Sequence, residues 1–289
     1  MATALKEKVT LLDVRAACQS GRKLPMLTCY DYTTARLMQE AGVPSLLVGD
    51  SAASVILGHP TTLPAPLPFM IEITAAVRRG APLVFLVADM PFGSYQESTA
   101  QGVHNICEMV KQTGCDCVKI EAGQQQIELV KVLADAGVAT MPHLGLRPQT
   151  IGMLGGYKYQ GRTAESARQI VELAVKMEQA GAAALLLEAV PPEVSAAVVE
   201  ATGLPVIGCG AGGACHGYVF VTQDGLGLSG TRPKFVPVLA EMSGVMREAF
   251  ARYIEQVTSG TYPAAQHNYT MPAGEAARLG AWMKERRNA

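Results

Sequence analysis

The sequence lacks several things, and each lack narrows what the chain can be. No run of 18 apolar residues occurs, so a membrane-spanning helix is not expected. The first ten residues, MATALKEKVT, hold neither an apolar core of signal-peptide length nor a small-residue cleavage site behind one. An excess of either charge is also missing, with 24 Lys and Arg against 25 Asp and Glu. Neither nucleic acid nor an acidic membrane surface is therefore an expected partner. The seven cysteines are an odd number, and Cys29, Cys117 and Cys209 lie inside apolar runs. That usage fits reduced thiols and a cytoplasmic location. Cys115 and Cys117 stand one residue apart, whereas zinc spacings leave two or more between ligands, so both read as core cysteines. No G-x-G-x-x-G opens the first strand-to-helix turn, which counts against a dinucleotide-binding open sheet. No linker or low-complexity segment divides the chain.

What is present is a long, ordinary globular chain of 289 residues, 49% hydrophobic and 17% charged. It can bury a large core. One phrase keeps returning: a helical pattern closes on glycine, and a short step leads into an apolar strand. The closing glycines are Gly42, Gly80, Gly114, Gly137, Gly181 and Gly203, spaced 22 to 44 residues apart. Each suits the left-handed position after a helix end. The strands that follow are apolar on both faces, as in a parallel sheet covered by helices. Six returns, an initial strand "LPMLTCYD" and a late one "YVFVTQD" make eight. Eight alternating units predict a single (β/α)8 barrel spanning residues 1–289. Residues 5–20 read as a helical cover at its base. Residues 234–258 read as a long helix, and the tail as turns with a short helix.

Such barrels carry their chemistry at the C-terminal ends of the strands. Here those ends hold Tyr30-Asp31, Asp50-Ser51, Asp89, Lys119 with Glu121, His143 and Glu188, and then the glycine-rich Gly208–Gly212. Each has a plain reading. Asp31 can cap the helix after it. Asp50 and Ser51 can form a turn, and Asp89 can serve its loop. Lys119 and Glu121 share a strand face and can pair. His143 can be a core histidine. Together, charged and titratable groups at five consecutive strand ends are hard to attribute to packing, because lone charges are rarely buried. A convergent set is the form a ligand or metal site takes. Two aspartates offer hard oxygen ligands of the kind magnesium uses. A glutamate reached through the apolar "AALLL" would have a raised pKa, suited to a general base. The ring therefore suggests proton abstraction beside a metal-bound carbonyl.

The motifs "TCYDY", "LLVGDS", "AVRRGAP", "ADMPFGSYQ", "VKIEAG", "PHLGLRPQ", "GGYKYQGR", "LLLEAVP" and "PVIGCGAG" resemble, in the same order, the ketopantoate hydroxymethyltransferase family, also called 3-methyl-2-oxobutanoate hydroxymethyltransferases. The resemblance implies a barrel of the phosphoenolpyruvate/pyruvate superfamily. It implies transfer of a hydroxymethyl group from 5,10-methylenetetrahydrofolate to α-ketoisovalerate on the route to pantothenate and coenzyme A. It also implies magnesium and a homodecamer. By the same resemblance Asp50 and Asp89 would bind the metal, with Glu121 completing its shell. Ser51, Asp50, Asp89, Lys119 and His143 would meet the keto acid, and Glu188 would be the base. The chain departs from the family pattern at Pro60, where members carry an acidic residue. It departs again at Ile73 and Gln223, where they carry histidines, and at His216, where they carry aspartate. These departures leave open a paralogue acting on a different α-keto acid. A barrel that binds a metabolite without catalysis would be expected to lose a ligand or the base, and all are present. The Lys-Lys-Cys-Gly-His loop of isocitrate lyases is absent.

Overall fold

The structure is a computed structural model and describes residues 4–288. It divides into two compact units, one running to Ala240 and one beginning at Glu241.

The first unit is organised by eight parallel strands: β1 (Leu24–Thr28), β2 (Ser45–Val48), β3 (Phe85–Asp89), β4 (Cys117–Glu121), β5 (Thr140–Gly145), β6 (Leu185–Glu188), β7 (Val206–Cys209) and β8 (Gly217–Tyr218). Each pairs with the next, and β8 returns to β1, so the sheet closes into a barrel. The helices are α1 (Leu11–Gln19), α2 (Tyr32–Glu40), α3 (Ala52–Val55), α4 (Leu67–Gly80), α5 (Thr99–Thr113), α6 (Ile127–Asp135), α7 (Ile151–Leu154), α8 (Ala164–Gln179), α9 (Pro192–Ala201) and α10 (Thr222–Gly225). The expected (β/α)8 architecture is what the chain adopts.

The strands lack clean alternation because both faces are buried, in two different places. Phe85 and Val87 point into the barrel with Met26, Leu47, Cys117, Met141 and Leu186. Leu86 and Ala88 point outward and pack with Met70, Val77 and Ile106 of the helical layer. Val14 of α1 joins the inner cluster beside Leu24 and Phe85, at the N-terminal ends of the strands. The helix thus plugs the base of the barrel. It begins at Leu11, later than the expected cover over 5–20, because Thr10 and Asp13 form a capping box there. Before it, Lys8 reaches Asp116, a carboxylate that Arg78 also meets and that accepts from Leu86 N at 2.8 Å.

Three sequence expectations change. The late strand is shorter than "YVFVTQD": β8 ends at Tyr218, and the Thr222 N–H goes to Thr28 Oγ1 at 2.9 Å instead of a strand ladder. The helix expected from 234 starts at Met242, since Pro237 lies in the intended interior. Of the six closing glycines, Gly42, Gly114, Gly137 and Gly181 have positive φ, while Gly80 and Gly203 do not. Gly80 is glycine for contact: a Cβ there would lie 2.3 Å from Tyr32 O.

The second unit consists of α11 (Met242–Thr258), a 3-10 turn at Ala265–His267 and α12 (Glu275–Arg287). Tyr253 and Tyr262 meet edge to face there at 5.8 Å. Among the described residues, no helix is long and apolar enough to cross a membrane.

Candidate active site

The inward phase of each strand delivers a polar group one step above the apolar core. On β3 the inward sequence is Phe85, Val87, Asp89; on β4 it is Cys117, Lys119, Glu121; on β5 it is Met141, His143; on β6 it is Leu186, Glu188. Register places Asp89 beside Lys119 and Glu121 beside His143. Asp50 arrives differently. Gly49 ends the inward phase of β2 without a side chain, and a Cβ there would lie 2.7 Å from Ser51 Oγ. The chain turns on that glycine and brings Asp50 and Ser51 back over the mouth. Asp50, Asp89, Lys119, Glu121 and His143 are all buried. The glutamate at the end of β6 stays 22% open at its side chain, although neighbouring groups enclose it. Asp31, by contrast, caps α2 by accepting from Thr34 N at 2.8 Å and lies exposed, outside the ring.

The contacts are specific. Lys119 Nζ lies 2.9 Å from Asp89 Oδ2. The same oxygen accepts from Asp50 N at 3.0 Å. Lys119 therefore pairs with Asp89 and not with Glu121 on its own strand. Lys119 Nζ also lies 3.4 Å from His143 Nδ1. An ammonium can only donate, so Nδ1 accepts and the imidazole proton belongs on Nε2. That nitrogen is 3.3 Å from Glu188 Oε2, near enough for contact but too poorly aligned for a hydrogen bond. Ser51 Oγ and Tyr30 OH share a hydrogen bond of 2.8 Å.

Burial sets the electrostatics. It pushes Glu188 up to about 7, with only Lys119 pulling the other way. It pushes Asp89 to about 7 and Glu121 to about 8, in both cases reinforced by Asp50 and opposed by Lys119. Burial works against the charge on Lys119, but the carboxylates of Asp89, Asp50 and Glu121 outweigh it and raise its pKa. His143 is driven well below its ordinary value by burial and then by Lys119, so it is neutral. Fully ionised, the four carboxylates would face one ammonium, leaving three uncompensated negative charges.

Sequence reasoning gave no role to Gln149 and Tyr95. Gln149 N lies 3.0 Å from both carboxylate oxygens of Glu121, and its Nε2 donates to Asp50 Oδ2 at 2.8 Å. Tyr95 OH accepts from Glu121 N at 3.0 Å and donates to Gln149 Oε1 at 2.7 Å. Both come from loops following strands, where no periodicity marks them. Their only signal was their place inside the quoted motifs "ADMPFGSYQ" and "PHLGLRPQ".

The model of the family described as ketopantoate hydroxymethyltransferase matches residues 8–265. The chain belongs to the ketopantoate hydroxymethyltransferase family. It is 43% identical over 262 residues to the 3-methyl-2-oxobutanoate hydroxymethyltransferase of Desulfotalea psychrophila, covering 90% of this chain and 94% of that one. With the enzyme of the same name from Oleidesulfovibrio alaskensis it shares 44% over 271 residues, 93% of each chain. Among solved structures it is similar to a phosphonopyruvate hydrolase complexed with oxalate and Mg++ (TM-score 0.60, 14% identity, 96% of this chain and 97% of that one). It is also similar to a 2,3-dimethylmalate lyase described as a member of the PEP mutase/isocitrate lyase superfamily (TM-score 0.57, 14% identity, 94% and 98%). At such identity the two structures speak for the fold alone, a (β/α)8 barrel.

The four positions expected to depart from the pattern of the ketopantoate hydroxymethyltransferase family have their own places. His216 Nδ1 accepts from Val206 N at 3.1 Å at the base of the barrel, opposite the ring. Ile73 packs on the helical layer. Pro60 is exposed. Gln223 lies in α10, with its Oε1 buried and unbonded.

The magnesium that the family implies can be tested against the residues. Among the described residues no three His, Cys, Asp or Glu side chains are arranged to hold a metal ion by themselves. Magnesium does not require that, because one or two carboxylates commonly suffice, with water and substrate supplying the rest. Asp89 Oδ1 is buried without a hydrogen-bond partner. Fully ionised, the ring would carry uncompensated negative charge, and it offers hard oxygen donors. Asp50 and Asp89 could hold such a cation. Both Glu121 oxygens already face Gln149 N, which suits Glu121 to an outer position.

Proposed function

We propose that this chain transfers a hydroxymethyl group from 5,10-methylenetetrahydrofolate to 3-methyl-2-oxobutanoate, yielding ketopantoate for the pantothenate and coenzyme A pathway. Family membership supports the reaction class. The observation that carries the chemistry is Glu188: a carboxyl at a strand end, raised by burial to about 7, beside a neutral imidazole and under the influence of one ammonium. A base poised near neutral pH suits removal of a weakly acidic carbon-bound proton.

In this reading Asp50 and Asp89 would hold Mg2+, with Glu121 in an outer position. When bound, the cation polarises the keto group and offsets the negative charge that develops on its oxygen. Lys119 gives the substrate carboxylate a counter-charge. Ser51 and the Nε2–H of His143 orient the keto acid. Glu188 takes the C3 proton. The C3 electron pair forms a bond to the methylene carbon. That carbon's two bonds to folate nitrogens are replaced by one bond to C3 and one to a water oxygen, and the two nitrogens take up the C3 proton and one proton of the water.

Proton NMR of 3-methyl-2-oxobutanoate in deuterated buffer, with protein and magnesium but no folate, tests the central step. The C3 proton signal is expected to disappear. EDTA should abolish the exchange, and Glu188→Gln should slow it by roughly 10²- to 10⁴-fold, the usual worth of a general base. Unimpaired exchange in Glu188→Gln would remove that residue from the mechanism. No exchange in a magnesium-bound wild type would move the proposal to a different α-keto acid.

A further inference from the structure

We propose that Gln149 is a positioning residue that sets the orientations of Asp50 and Glu121 for cation and substrate; this rests on the function proposed above. Gln149 is 7% exposed and sits in a 3-10 turn, Pro148–Thr150, just after β5. Its side chain uses every hydrogen-bonding valence it has. Nε2 donates to Asp50 Oδ2 at 2.8 Å and to Met90 O at 3.0 Å. Oε1 accepts from Tyr95 OH at 2.7 Å and from Gln96 Nε2 at 3.0 Å. The backbone N–H is shared between Glu121 Oε1 and Oε2, each at 3.0 Å. One residue thereby links the ends of β2, β3 and β4.

The pattern admits one amide orientation. Flipped, the amide would set its oxygen against Asp50 Oδ2 and Met90 O, two acceptors, and its N–H groups against the donors Tyr95 and Gln96. Only a glutamine side chain offers two donors and two acceptors at this reach. Asparagine is a methylene shorter, and an ionised glutamate cannot donate. By committing Oδ2 of Asp50, the amide fixes the plane in which Oδ1 is presented. By holding both Glu121 oxygens from one side, the backbone N–H keeps that carboxylate from swinging towards Asp50. The turn itself is tied to β4, since Arg147 Nη1 donates to Ala122 O at 3.2 Å. Partners that hold ligating carboxylates in this way typically alter metal affinity or activity about 10- to 100-fold when removed.

The test compares Gln149→Met, similar in length but without an amide, with Thr113→Val. Thr113 is buried and bonds Met109 O and Cys115 N at the far end of α5, so its loss reports general destabilisation. Mn2+ affinity is measured by EPR without keto acid, each variant is crystallised, and C3 exchange is followed by NMR. In Gln149→Met the Asp50 carboxylate is expected to rotate while Glu121, held by the backbone N–H that methionine keeps, stays in place, with Mn2+ affinity and exchange each falling about 10- to 100-fold. Thr113→Val should melt earlier yet keep its Mn2+ affinity. An unmoved Asp50 carboxylate with Mn2+ affinity within about twofold of wild type, or an equal loss in Thr113→Val, would overturn the assignment. Should Gln149→Met fail to fold, Tyr95→Phe removes the bond to Gln149 Oε1 and is expected to give a smaller loss in the same direction; unchanged affinity there would count against the network. If wild-type protein shows no exchange with this keto acid, the proposed function fails, and carboxylate orientation with Mn2+ affinity still decides the role of Gln149.

Discussion

Burial lifts Glu188 to about 7, and Lys119 is the one charged group pulling it back down. A base works only when deprotonated, so C3 exchange should be lost as pH falls through about 7. Lys119→Met removes the downward pull. The acid limb of the exchange profile should therefore move to higher pH, with the remaining activity appearing only in more alkaline buffer. An unmoved limb would mean that another group titrates there. His143 does not compete in this range, since burial and Lys119 keep it neutral. The places of these side chains at the barrel mouth were legible in the sequence because strand period fixes them: Asp89 follows Phe85 and Val87, and Glu188 follows Leu186, at steps of two. The contacts of Gln149 follow no period. They depend on how a turn after β5 folds back towards β2 and β4, which a single chain's pattern does not encode.

At the scale of elements, β5 and β6 approach closely above the core. Gly145 has φ +87°, and a Cβ on it would lie 2.4 Å from Glu188 O and 2.7 Å from Val190 Cγ1. Gly137, between α6 and β5, has φ +80° but nothing within 4 Å of the same added atom. Gly137→Ala should cost only the left-handed penalty, about 1–2 kcal/mol, and keep its exchange activity. Gly145→Ala should cost more than that and should also lose exchange, because it pries β6 from β5 where Glu188 is mounted. Urea denaturation and the NMR assay together separate the two; equal behaviour would show that the strand approach is not what Gly145 serves. A milder case is Asp31→Ala, which deletes the α2 cap and should cost about 1 kcal/mol without touching the ring. The closing glycines made the barrel's repeat readable, yet Gly80 and Gly203 look the same in sequence and serve no left-handed turn. Sequence shows that a glycine is needed, and the structure alone shows whether backbone or neighbour needs it. The end of β8 was misplaced for a related reason: Val219 to Thr222 is rich in strand formers, and a side-chain bond to Thr28 overrides them.

For the molecule as a whole, the ring imposes a conflict between stability and function. Asp89, Glu121 and Glu188 have folded-state pKa values of about 7, 8 and 7, all above their ordinary carboxyl values. An acid whose pKa is raised by folding binds its proton more tightly in the native state. Its contribution is complete below the ordinary pKa and is lost as pH rises through the folded value. His143 has the opposite linkage: the unfolded chain takes up its proton below about 6.5, which costs stability there. Between about pH 6.5 and 8 the carboxyls act alone among these groups, so metal-free protein should melt at a lower temperature as pH rises. Lys119 does not blur this window, because its raised pKa lies far above it. A cation held by Asp50 and Asp89 favours the ionised ring. Saturating magnesium should therefore raise the melting temperature more at pH 8 than at pH 6.5, flatten the slope, and release protons on binding in weakly buffered solution. Scanning calorimetry at the two pH values, with magnesium or with EDTA, measures the difference. A slope that magnesium leaves intact would mean that the buried negative charge is relieved by something other than a divalent cation.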